Sequence, residues 1–220
     1  MKLSEKTINL LKNFSDINQS ILFKKGNKLR TISVMKNILA EADIPEDFPK
    51  DFGIYDLNQF LRGVYLHNKP ELDFANEGHV VIREGKTRSK YFFADPSVIV
   101  TPPDKELILP TTDVEFDLST EQLDKVRKAV LAFQLPDLSV VGQAGAVKLV
   151  VHDKKNDTSN DYQVIVGESE SEFCFNFKVE NIKILPGSYR VAISNKLLSR
   201  FTNNDYDLTY YIALEPDSEF

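Results

Sequence analysis

One feature constrains this chain more than any other: the same helix start is written twice, half a chain length apart. Leu3-Ser4-Glu5-Lys6-Thr7 opens a segment in which Leu3, Thr7, Leu10, Leu11 and Phe14 recur at helical spacing, with Ser4 placed as N-cap. Asp117-Leu118-Ser119-Thr120-Glu121 repeats that start, followed by Leu123, Val126, Val130 and Phe133 until Pro136 ends the pattern. Further along each half, Asp56 to Leu61 and Glu180 to Leu185 read as short helices after strand-like stretches. The spacing therefore predicts an internal duplication, each half running helix, strands, helix, strands.

The strands are predicted at 19–24, 28–34 and 38–44 in the first half, and at 138–141, 146–152 and 162–166 in the second. Lys25-Gly26-Asn27 and Gly142-Gln143-Ala144-Gly145 supply hairpin punctuation. Between the halves, Pro96, Pro102, Pro103 and Pro110 stiffen a stretch with no clean period, so 95–112 reads as a connector between domains at 1–94 and 113–220. A chain of 220 residues with 42% hydrophobic and 27% charged residues has ordinary globular composition and fits two such domains.

Chemistry is sparse. His67, His79 and His152 are scattered and read as surface or loop histidines without metal-ligand spacing; no metal site, cofactor motif, P-loop or nucleophile elbow is present. Cys174 sits in an apolar strand and reads as a buried structural thiol. Asp113, Glu115 and Asp117 read as capping charge before a helix. These readings point away from an enzyme. No apolar run approaches the length of a membrane span, and the polar N-terminus carries no signal core, so a cytosolic protein is expected.

A net charge of −6 argues against a broad basic DNA-binding surface, since such binding neutralises phosphates with Lys and Arg. The polar faces of the predicted helices nevertheless carry basic residues among Glu5, Asn9, Asn13, Asn58, Gln59, Glu121 and Asp124: Lys6 and Lys12 on the first, Arg62 on the second, Lys125, Arg127 and Lys128 on the third, Lys183 on the short fourth.

Several stretches resemble the sliding clamp of T-even-type bacteriophages. They are Met1-Lys2-Leu3-Ser4, Leu10-Leu11-Lys12-Asn13-Phe14 with Ile17-Asn18, and Ile54-Tyr55-Asp56-Leu57-Asn58 with Phe60-Leu61. Phe175-Asn176-Phe177, Lys183 with Pro186-Gly187-Ser188-Tyr189, and Ala213-Leu214-Glu215 followed by Asp217-Ser218 continue the likeness. The resemblance implies an α+β clamp fold, each domain having two helices packed on a curved antiparallel sheet. It further implies three subunits closing head to tail into a ring around duplex DNA, with Lys6, Lys12, Arg62, Lys125, Arg127, Lys128 and Lys183 facing the hole. Such a clamp is a non-enzymatic processivity factor without cofactor, tethering the phage DNA polymerase in the cytoplasm of the infected host. An ATP-driven clamp loader and late-transcription factors are implied as further partners. A partner-peptide pocket near the connector and the last strand is implied at Val98, Ile99, Val100, Leu107, Leu109, Tyr210, Tyr211, Ile212 and Leu214. The polar tail 215–220 is expected to project. The competing reading, a non-catalytic structural or virion β-rich phage protein, leaves the duplicated helices and their basic positions unexplained.

Overall fold

The structure, a computed structural model, describes residues 1–156 and 158–220. The chain forms two units, Met1–Asp104 and Lys105–Phe220, and the division falls inside the proline-marked connector stretch.

In unit 1, α1 (Glu5–Ile17) begins where the Ser4 side chain accepts a hydrogen bond from the Thr7 N–H. Glu46, from a neighbouring strand, completes the cap by accepting from the Ser4 N–H and the Thr7 hydroxyl. Two donors that the first turn leaves unpaired are thereby satisfied. The helix buries Thr7, Leu10, Leu11, Phe14 and Ile17, as the spacing predicts. Asn13, expected on the solvent side, is buried as well; it sits one position from Phe14, at the margin of a stripe wider than the apolar residues alone define. Strands β1 (Ile21–Phe23) and β4 (Phe52–Ile54) pair antiparallel, and β2 (Gly26–Ile32) pairs with β3 (Ile38–Phe48). Next comes α2 (Leu57–Tyr65), capped by Asp56. The antiparallel meander β5 (Glu71–Asp73), β6 (His79–Glu84) and β7 (Thr87–Phe92) closes the unit. Phe23, Phe48, Phe52, Phe74 and Phe93 form one aromatic cluster, with Phe23 and Phe52 stacked at 4.5 Å.

Unit 2 repeats the plan. It opens with β8 (Val114–Leu118) and α3 (Thr120–Phe133), which starts with a capping box between Ser119 and Gln122. The backbone at Ser119 (φ −73°, ψ 157°) matches that at Ser4 (φ −73°, ψ 159°), so the duplicated Leu-Ser start is a duplicated geometry. Four strands follow, β9 (Asp137–Gln143), β10 (Ala146–His152), β11 (Tyr162–Glu168) and β12 (Phe173–Lys178), hydrogen-bonded in the order β11-β10-β9-β12. Finally β13 (Tyr189–Ser194) pairs with β8 and with β14 (Leu198–Asn203), which pairs with β15 (Leu208–Ala213). Element by element, β9–β12 match β1–β4, and β13–β15 match β5–β7.

Four expectations are corrected here. First, the short fourth helix is a single 3-10 turn, Val179–Asn181, without a side-chain cap; with Pro186-Gly187 close behind and so few residues, it cannot propagate. Second, Asp113, Glu115 and Asp117 do not cap α3. Glu115 and Asp117 lie on β8 and pair with Arg190 at 2.9 and 3.1 Å, while Asp113 accepts from the Asn195 N–H. Third, α3 buries Leu123, Val126 and Ala129, whereas Phe133 is exposed and Val130 only half-buried, because Val130 lines an open groove with Leu131, Leu138, Val179 and Ile182 rather than closed core. Fourth, the tail does not project: Cys174 and Glu219 exchange both backbone hydrogen bonds, at 2.9 and 2.8 Å.

Candidate functional site

The histidines are integrated rather than loose. His67 is buried, its ring nitrogens 3.2 and 3.4 Å from the Thr87 and Ser89 hydroxyls; His79 lies on β6, and His152 on β10 sits 2.8 Å from the Ser139 hydroxyl. Cys174 is half-buried, and that burial pushes its thiol above the usual range. Among the described residues no cluster of His, Cys, Asp or Glu could hold a metal ion, and no helix is long and apolar enough to cross a membrane.

The predicted basic positions divide by what they touch. On α1 the exposed stripe is Glu5, Asn9, Lys12 and Asp16, with the Lys12 ammonium 4.9 Å from the centre of the Tyr65 ring on α2. Arg62 is exposed on α2. On α3, Glu121, Lys125 and Lys128 follow one another at four and three residues along one exposed face, and Lys125 pairs with Glu121 at 2.6 Å. Lys6 and Lys183 are half-buried. Arg127 is different: its guanidinium donates to the Ile184 carbonyl at 2.5 Å and so ties α3 to the segment after β12. Its first role is structural, a consequence of its place beside Val126 at the buried margin of α3.

The predicted pocket residues are also unequal. Val98 is 57% exposed, at the end of a 3-10 turn (Pro96–Val98) capped by Asp95. Ile99 is buried against Gly53, where an added Cβ would lie 2.7 Å from the Ile99 side chain and 2.8 Å from the Ala94 carbonyl, so the close approach requires glycine. Val100 is half-buried, its carbonyl accepting from Asn18 at 3.2 Å. In unit 2, Leu107 is half-buried and Leu109 buried. Tyr210 and Ile212 are fully buried in the unit's core; the Tyr210 hydroxyl accepts from the Leu185 N–H at 3.1 Å, and burial drives both it and the neighbouring Tyr189 upward, Tyr189 to about 12. Tyr211 and Leu214 are buried too. The exposed apolar side chain nearest this series in unit 2 is Ile108, which the sequence reading passed over.

Two sheet edges also escaped that reading. β7 is hydrogen-bonded on one side only and presents Lys86, Arg88 and Lys90 with Phe92, which is 69% exposed. Beside it runs a groove of about 670 Å³ whose lining includes Tyr55, Arg62, Leu66 and Tyr91. β11 likewise has one partner and presents Ile165, 61% exposed, among Asp161, Glu168, Glu170 and Glu172. One edge is basic and the other acidic, each with an uncovered apolar residue. The signal was available as two short charge runs of opposite sign, each beside a strand pattern with an apolar residue on the outward side.

Comparison with known proteins fits this architecture. The family described as "DNA polymerase processivity factor" matches residues 2–101, and the family described as "gp45 sliding clamp, C terminal" matches residues 115–216. The sliding clamp of Vibrio phage KVP40 is 35% identical, the alignment covering 98% of this chain and 99% of that one. The sliding clamp of Enterobacteria phage T4 is 30% identical over 99% and 98%. The solved structure titled "C-terminal region of FEN-1 bound to A. fulgidus PCNA" shares the fold with a TM-score of 0.69 at 14% identity, covering 96% of both chains. Duplicated units, capped helices and matching sequence over the full length place this chain in the phage sliding-clamp family of DNA polymerase processivity factors.

Proposed function

We propose that three copies of this chain close head to tail into a ring around duplex DNA, the β7 edge of each copy adding to the β11 edge of the next. The observation that carries this reading is the complementarity of the two free edges. Isolated edges with unpaired backbone groups and exposed apolar side chains are aggregation hazards, and pairing them removes the hazard. β7 and β11 are six and seven residues long, opposite in charge, and each offers one large apolar side chain. Because they are different surfaces, the contact is heterologous, and it must close to avoid a filament.

In such a ring the exposed stripe of α3 and the outer faces of α1 and α2 supply a thin, sequence-independent lining in which Lys12, Arg62, Lys125 and Lys128 meet phosphates, with Lys6 and Lys183 nearby. The acidic net charge fits this mechanism, because the link is topological and a strong phosphate grip would oppose sliding. Tethering raises the local concentration of an attached phage DNA polymerase at the primer end. The clamp acts without catalysis or cofactor in the cytoplasm of the infected host. An ATP-driven clamp loader opens and closes it, and late-transcription factors use the same sliding platform. Partner peptides dock where Val98 and Val100 leave apolar surface uncovered.

Sedimentation equilibrium tests the assembly: a mass near three times 25.1 kDa is expected at micromolar concentration. Phe92→Asp or Ile165→Asp should reduce it to one chain with an unchanged far-UV circular dichroism spectrum, and should remove any dependence of the melting temperature on protein concentration. A strictly monomeric parent chain would overturn the reading.

A further inference from the structure

The last six residues, Glu215 to Phe220, lie along the free side of β12, whose other side is held by β9. Glu215 donates its N–H to the Asn176 carbonyl at 2.8 Å; Cys174 and Glu219 form an antiparallel bridge; and the Asn176 side chain donates to the Asp217 carbonyl at 3.1 Å. Lys154 pairs with the Asp217 carboxylate at 2.7 Å. The Phe220 ring stacks over Phe175 and Phe173, with centroids at 5.8 and 6.1 Å, yet remains 56% exposed.

We propose that the β12 edge, with the Phe173–Phe175 face beside it, is a strand-addition site for an extended acidic peptide carrying an aromatic residue, and that residues 215–220 are its displaceable resident. The resident defines the chemistry the site takes. Backbone pairing to Cys174 and Asn176 asks only for an extended chain, Lys154 asks for a carboxylate, and the two rings ask for an aromatic side chain. The resident holds by one bridge to Cys174, three hydrogen bonds with Asn176 including one from its N–H to the Ser218 hydroxyl at 2.9 Å, one half-exposed ion pair and one half-exposed ring, all of which an incoming extended strand can remake in exchange. Departure without replacement would uncover the Phe173–Phe175 face and leave the Cys174 backbone groups without protein partners, so the edge favours exchange of one strand for another over an open state. This site is independent of ring closure, since every residue in it belongs to unit 2.

The test uses Cys174, the chain's single cysteine, as reporter, because its main chain is pinned by the resident strand. Modification by an aromatic disulfide reagent is timed in the full-length protein, in Phe220→Ala and in Asp217→Asn, with melting temperature measured alongside. Both variants should react at least about fivefold faster at unchanged melting temperature, as local opening predicts. The synthetic peptide acetyl-Glu-Pro-Asp-Ser-Glu-Phe at millimolar concentration should slow the Phe220→Ala reaction back toward the parent rate, and the same peptide ending in Ala should not. If Phe220→Ala melts early, the rate in Asp217→Asn and its protection by the peptide decide. Equal rates in parent and variants, no protection, or equal protection by both peptides would overturn the proposal.

Discussion

Lys125 Nζ lies 2.6 Å from a Glu121 carboxylate oxygen one turn earlier on α3, so a cation on the helix's exposed stripe already carries a counter-charge. Hydrogen bonding and charge from Lys125 hold the Glu121 carboxyl below its usual range, and Glu121 in turn raises Lys125. If this stripe faces DNA, the pair tunes the lining toward weak contact. Glu121→Gln should raise duplex affinity at low salt and steepen its salt dependence, while Lys125→Glu should do the reverse, with the melting temperature nearly unchanged in both. Fluorescence anisotropy across a salt series reads this.

Arg127 and Lys128 are neighbours in sequence with different duties. Arg127 donates to the Ile184 carbonyl, whereas Lys128 is exposed. Arg127→Ala should therefore cost about 1–3 kcal/mol of stability by leaving a carbonyl without its charged donor. Lys128→Ala should cost little and lower low-salt DNA association instead. Denaturant unfolding and anisotropy on both variants separate the two roles.

Glu46 reaches from β3 to cap α1. Burial raises its pKa, but hydrogen bonds from Thr7 and Ser4 outweigh that and hold it below its ordinary 4.5. A carboxyl depressed in the folded state stabilises above its unfolded pKa, and that stability is lost as pH falls through the folded value. Glu46→Gln should cost about 1 kcal/mol at neutral pH, the size of a lost helix cap. The difference between variant and parent should stay level from neutrality down to about pH 5.5 and shrink below 4.5. Thermal melts over that range check the sign.

Gly142 on β9 faces Phe173 of β12, and an added Cβ would come within 2.4 Å of the ring and 2.6 Å of the Ser171 carbonyl. Gly142→Ala should destabilise by about 1–3 kcal/mol through overpacking. Gly78, where nothing lies within 4 Å of an added Cβ, is the control and should tolerate Ala within about 0.5 kcal/mol. Denaturant midpoints give both values.

Capping and strict period carried the parts of the fold that were legible in the sequence. Ser4 and Ser119 announced their helices because a cap is a local event, and β10 was bounded to the residue because its alternation is unbroken from Ala146 to His152. The short strands β4 and β5 gave too few residues to show a period. β7 mixes charges with outward apolar side chains and has no buried face to read. Phe220 looked like a free end because its partners, Phe173 and Phe175, are adjacent only in space. The same distinction governs the site. Basic residues on helix faces could be counted from the chain, but only the fold separated Arg127, spent on Ile184, from Lys128.

A topological grip on DNA outlasts conditions that abolish phosphate contacts. Its most direct measurement is retention on DNA after loading by a clamp loader, at salt high enough to dissolve phosphate contacts. The protein should stay with nicked circular DNA through gel filtration and be lost when the same circle is cut once. Equal retention on circular and linear molecules, or none on the circle, would contradict it.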